Sequence, residues 1–151
     1  MIDKRETILS RTLYVLSQLT GIETVARNRG LMDNDMRPAA VLMDGDEIFR
    51  LTGDRRGRQM MSPTLITARP QVFVVLKNRK PQNVETGEDL NAFRVALIEL
   101  MATDGVLLEL IGTNGNMSYE GCETDLKSGG AAEGSMRLDF AITYTLDPYG
   151  P

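Results

Sequence analysis

Residues 136–146 read MRLDFAITYTL, and their alternation decides the fold. The even positions (Met136, Leu138, Phe140, Ile142, Tyr144 and Leu146) are large and apolar. The odd positions (Arg137, Asp139, Ala141, Thr143 and Thr145) are charged, hydroxylated or small. Side chains on a strand point alternately to opposite faces, so the pattern predicts a strand with one buried and one wet face. On a helix the same apolar residues would scatter around the whole circumference. At about 3.3 Å per residue the strand would run roughly 36 Å. Asp147-Pro148 ends it, because proline has no N–H to give a ladder. A sheet with one apolar face needs a cover, and the rest of the chain is read for one.

Immediately upstream, residues 117–126 read as a polar strand, with Met117 and Tyr119 on one side. The connector 127–134, KSGGAAEG, would join the two as an antiparallel hairpin with a long loop. Cys122 falls in this strand. A nucleophilic thiol needs a base or a helix N-terminus to lower its pKa, and the chain has no histidine, so Cys122 reads as inert.

Two helices supply the cover. Residues 86–103 form one: Thr86 and Asp89 match a capping pattern, and Leu90, Phe93, Leu97, Leu100 and Met101 make a stripe. Asp104-Gly105 ends it. Residues 106–111, VLLELI, read either as a final helical turn or as a small strand, and 112–116 as a turn. Residues 3–20 form the other helix, with Ile8, Leu9, Leu13, Val15, Leu16 and Leu19 as its stripe. Asp3 is its N-cap, with Glu6 three residues on, and Gly21 its stop.

Between the helices the chain is extended. Residues 22–29 read as a strand and 30–37 as a turn rich in Asp and Asn. The apolar run 38–43, PAAVLM, is a buried strand, and Asp44-Gly45 after it is a hairpin signal, with 47–52 as the outgoing arm. Residues 60–76 are extended, but Pro63 and Pro70 predict an edge strand or two strands with a bend. Their end, 72–76, VFVVL, reads as a central strand buried on both faces. The architecture expected is α+β, with two helices packed on one face of a mostly antiparallel sheet, a long protruding β-hairpin, and a single domain over 1–151.

Composition narrows the function. The chain has 151 residues, 42% of them hydrophobic, and a net charge of −4. That acidity argues against general binding to nucleic acid or anionic membrane. No apolar run is long enough for a membrane span. Without histidine, and with one cysteine, the chain lacks the usual general base and cannot form a Cys/His zinc site. No catalytic residue, metal or cofactor is assigned. Asp44, Asp46 and Glu47 are close in sequence, and a solvated turn is the simpler reading of them.

Two basic stretches stand out as partner-binding candidates. Residues 53–59, GDRRGRQ, carry Arg55 and Arg56 between two glycines and Arg58 just after the second. No lysine and no following helix are there to make a phosphate-cradling loop, so the stretch reads as a mobile hairpin tip. Arginine suits bidentate contact with a partner's carboxylates. Lys77, Arg79 and Lys80 form the second cluster, where a solvated turn is the plain alternative.

The order of these elements resembles the tail terminator, or tail completion, proteins of long-tailed bacteriophages. The resemblance rests on the N-terminal amphipathic helix, on RPAAVLMDGDE leading into a long hairpin, on a helix after an apolar strand, and on the closing RLDFAITYTLDP. It implies a small structural protein of the virion, placed at the head-proximal end of the tail after assembly in the host cytoplasm. It implies a homo-hexameric ring on the tail tube protein that ends tube polymerisation and offers a surface to the head-completion or connector protein. Genomic DNA would pass through the lumen without specific binding, as acidic walls permit. A neck or head-completion connector is the nearest alternative, and a small metal-dependent cytosolic enzyme or a nucleic-acid-binding module are alternatives of other classes.

Overall fold

A computed structural model describes residues 2–30, 34–50, 61, 63–76, 83–126 and 134–150. The strands are β1 (Thr24–Arg27), β2 (Ala39–Arg50), β3 (Thr64–Val75), β4 (Asn116–Leu126) and β5 (Gly134–Leu146). They form a single sheet in the order β1-β2-β3-β5-β4. The β1–β2 pair is parallel and the other pairs are antiparallel. The helices are α1 (Lys4–Ser17), α2 (Asn83–Thr103) and α3 (Gly105–Ile111). A short 3₁₀ turn, Asn34–Met36, precedes β2.

The closing strand does what its alternation predicts. Met136, Leu138, Phe140, Ile142 and Tyr144 are all buried, opposite Val74, Val72, Ile66 and Ala68 of β3 and beneath Ile8, Leu16, Leu90, Leu97 and Leu107 of the helices. The α+β architecture holds, with β5 flanked by β3 and β4 rather than at an edge. Residues 106–111 resolve as helix, because the Asp104 carboxylate accepts the Leu107 N–H at 3.0 Å and caps it. In α1 the Asp3 carboxylate caps the Glu6 N–H at 3.0 Å. The Glu6 side chain does not return to Asp3 but reaches Arg27 of β1.

Four expectations are corrected. Asp44-Gly45 is not a hairpin turn. β2 runs through it to Arg50, and the pair forms a β-bulge between Met43 and Asp46. Gly45 supplies the positive φ, +68°, that such a bulge requires. Pro70 marks neither an edge strand nor a break between two strands: β3 is continuous and lies between β2 and β5. The β3–β5 register is the same on both sides of Pro70 but lacks paired residues at 69 and 70, as a missing N–H predicts. Thr86 is not a cap, since α2 begins at Asn83 and Thr86 lies buried in its first turns. Residues 72–76 alternate between buried and half-buried, so only one face of β3 there is fully enclosed.

These irregularities align. The β2 bulge, Pro70 and the β4 bulge between Tyr119 and Gly121 all lie opposite Arg69–Gln71 or Asp139–Phe140. Bulges bend a strand and increase its twist. Along this row a trough of about 410 Å3 opens, lined by Asp46, Arg69, Gln71, Glu120 and Asp139.

Candidate interaction surface

Arg55, Arg56, Arg58, Lys77, Arg79 and Lys80 lie outside the described residues, as does the stretch 53–59. What the structure describes is the strand pair on either side of the first group in sequence. Asp46–Arg50 pair with Leu65–Arg69, so β2 and β3 form an antiparallel arm. At its root, α1 clamps the bulge. The Arg27 guanidinium makes two hydrogen bonds to Glu6, at 2.8 and 2.9 Å, and two to Asp44, at 2.7 and 2.9 Å. Arg5 Nη2 donates to the Gly45 carbonyl at 2.8 Å. The Arg27 guanidinium beside Asp44 holds that carboxyl below the usual aspartate range.

The arm also has a tie to the core that its sequence did not suggest. The Tyr144 hydroxyl donates to the Glu47 carboxylate. Burial, then this carboxylate, pushes the Tyr144 pKa up. Asp44, Asp46 and Glu47 therefore diverge: one faces Arg27, one the trough and one Tyr144. Among the described residues no group of three His, Cys, Asp or Glu side chains is placed to hold a metal ion.

On the sheet face away from the helices, the Thr67 and Thr143 hydroxyls bond to each other at 2.8 Å and are buried. Asp139 accepts from Arg137 at 3.0 Å and from Gln71 at 3.2 Å. The odd-numbered side of β5 is thus engaged with its neighbours within the sheet. Exposed Cys122 sits beside Tyr119, whose hydroxyl also accepts from Arg94 Nε at 3.0 Å.

The exposed large apolar side chains fall mainly in two groups. Towards the far end of the arm, Ile48 is 40%, Phe49 46% and Met61 68% exposed. Ile48 pairs with Thr67 and Phe49 with Ile66, so the two present opposite faces of the strand. The second group is on the helices, where Val95 is 48% and Leu108 52% exposed. Ala92, Ala102 and Val106 are exposed with them, and so are Glu88, Glu99 and Glu109. A recess of about 300 Å3 opens between α2 and α3, lined by Ile98, Met101, Ala102, Leu108, Met117 and Phe140. The sequence stripe at Leu90, Leu97 and Met101 accounted for one side of α2. The other side of α2 exposes Val95, Ala92 and Ala102 interleaved with Glu88, Asn91, Glu99 and Thr103, a mixed face that gave no separate signal in the sequence.

A groove of about 600 Å3 lies between the end of α1 and α2, lined by Gly21, Pro38, Leu76, Ala92, Phe93 and Ala96. Glu23 and Asp89 border it, and both are engaged by other groups. Among the described residues no helix is long and apolar enough to cross a membrane. No protein-family model matches the chain, and no curated protein matches it significantly.

Proposed function

We propose that the chain is a structural virion protein, a tail terminator of a long-tailed phage, which caps the tail tube as a ring of identical subunits. In this reading it ends tube polymerisation and presents the surface that the head-completion protein meets. The reading assigns it no catalytic step and no cofactor. The observation that carries it is the β2–β3 arm, which exposes Ile48 and Phe49 on its two faces instead of burying them. Apolar residues presented in that way suit contacts with neighbouring subunits or with a tube end. The net charge of −4 suits a passage through which DNA slides without adhering.

The test is tube assembly in vitro. Purified protein added to polymerising tail tube protein should shorten the tubes and decorate one end in negative stain. Unchanged tube length with no end decoration overturns the proposal. A mutant phage lacking the protein should accumulate over-long tails. Tails of normal length that fail to join heads would assign the chain to the neck instead.

A further inference from the structure

We propose that the outer edge of β4 takes an extended segment of a partner protein as a further strand, apolar on the side facing the helices and basic on the other. Such a site is independent of the terminator role, and a chain that caps no tube would carry it equally.

β4 lies at the end of the sheet and pairs only with β5. Among the described residues no backbone hydrogen bond reaches it from its outer side. The strand runs for 11 residues, Asn116–Leu126, and alternate ones turn their N–H and C=O groups outward. The opposite edge, β1, has 4 residues. The bulge between Tyr119 and Gly121 divides the long edge into two runs, 116–119 and 121–126.

The recess between α2 and α3 adjoins the first run. It meets all of 116–119, and Ile98, Ala102 and Leu108 of the helices stand beside them. Successive side chains on a strand point to opposite faces, so a recess that touches every one of these residues reaches the rim of the strand. A segment laid along that rim turns every second side chain towards the helices. Main-chain pairing then supplies affinity, and the recess selects an apolar anchor.

The second run sets the charge. Residues 116–126 hold Glu120, Glu123 and Asp125 and no Lys or Arg. Glu123 and Asp125 pair with Arg137 and Ser135, on the sheet face away from the helices. The cations nearby are committed. Arg94 is held by the Tyr119 ring and hydroxyl, and Arg137 lies between Asp139 at 3.0 Å and Glu123 at 3.2 Å. A segment alternating apolar and basic residues suits both faces at once. A second copy of this chain does not. Its β4 would bring the same acids to an acidic edge, and its β1 is short, with Arg27 already bound to Glu6 and Asp44. Charges on an edge strand keep like edges apart, and these leave the edge open to a basic one.

A short peptide with blocked ends, alternating leucine and lysine, is the probe. It should bind the intact protein and slow the alkylation of Cys122, the only cysteine, which is exposed on the second run. Glutamate in place of its lysines, or serine in place of its leucines, should weaken binding by about tenfold or more. N-methylation of alternate peptide amides should do the same for one of the two alternating sets and spare the other, since only one set faces β4. In the protein, Ala102→Phe fills the recess and Glu120→Lys/Asp125→Lys reverses the charge. Each should lower affinity by about tenfold while circular dichroism stays that of the parent. Absence of binding at millimolar peptide overturns the proposal. So does binding that leaves Cys122 alkylation unchanged, tolerates methylation of either set, or survives both protein variants. Self-association of the chain that either variant abolishes would make a second copy the occupant and overturn it too.

Discussion

Gly45 and Arg69 approach so closely that only glycine fits. A Cβ on Gly45 would lie 1.9 Å from the Arg69 carbonyl oxygen, far inside van der Waals contact. The atom it meets is backbone in the middle of the sheet, so no side-chain rotation relieves the clash. The φ of +68° adds the cost of a left-handed conformation in a residue with a Cβ. Gly45→Ala should therefore destabilise the fold by about 3 kcal/mol, as strain plus overpacking. The urea midpoint reads this directly. A variant within experimental error of the parent would mean that the bulge is not held as described.

Phe140 is the second point where one side chain decides stability. It is 2% exposed, and its ring lies 5.8 Å from that of Tyr119 at a tilt of 59°. Phe140→Ala should cost about 3–5 kcal/mol by equilibrium unfolding, since lost transfer energy and a new cavity add. Arg137→Ala, three residues away on the other face of β5, should leave the midpoint close to the parent. Its ion pair with Asp139 is half-buried but local to one strand, and its other partner, Glu123, is exposed, so both pairs are weak. A comparable loss from both would contradict the two-faced strand.

How far the sequence could be read follows from the same residues. Alternation along 136–146 reports a face, and a face is a property of one strand, so the core of β5 was legible. Asp-Gly at 44–45 was not. The dipeptide supplies a positive φ, which a two-residue turn and a bulge both use. The choice between them depends on which residues of β3 lie opposite, and that information is not local. Pro70 misled for a related reason. Proline is excluded from a central strand only where its missing donor breaks the ladder, and here the ladder skips that row. The arm's arginines were legible as charge alone.

Asp104 should show two separable effects. It caps α3 through the Leu107 N–H, and it takes two hydrogen bonds from Arg11 of α1, at 2.9 and 2.7 Å. Asp104→Ala loses both, and the cap by itself is worth about 1 kcal/mol. Asp104→Asn keeps a capping oxygen and gives up the charge, so its thermal midpoint should fall between parent and Ala. If Asn and Ala are equally destabilised, the pairing with Arg11 dominates and the cap contributes little.

The pH dependence of stability should have a falling limb at each end. Asp44 and Asp104 are held below the usual aspartate value, the first by Arg27 and the second by Arg11. At acid pH the folded chain therefore binds fewer protons there than the unfolded chain, and stability rises with pH through this range. The contribution is complete above the ordinary value of about 4 and is lost as pH falls through the folded values. Tyr144 acts with the opposite sign. Burial and Glu47 raise its pKa, so its contribution is full below the ordinary value of about 10 and is lost as pH climbs beyond it. Urea midpoints measured from strongly acid to strongly alkaline pH should trace a plateau between these limbs. Arg27→Gln should lower the plateau and flatten the acid limb, because Asp44 then loses the cation that lowers its pKa most, with only the more distant Arg5 left. Tyr144→Phe should flatten the alkaline limb and leave the acid one alone. An acid limb that keeps its full steepness in Arg27→Gln would show that the clamp at the root of the arm is not what the carboxylates report.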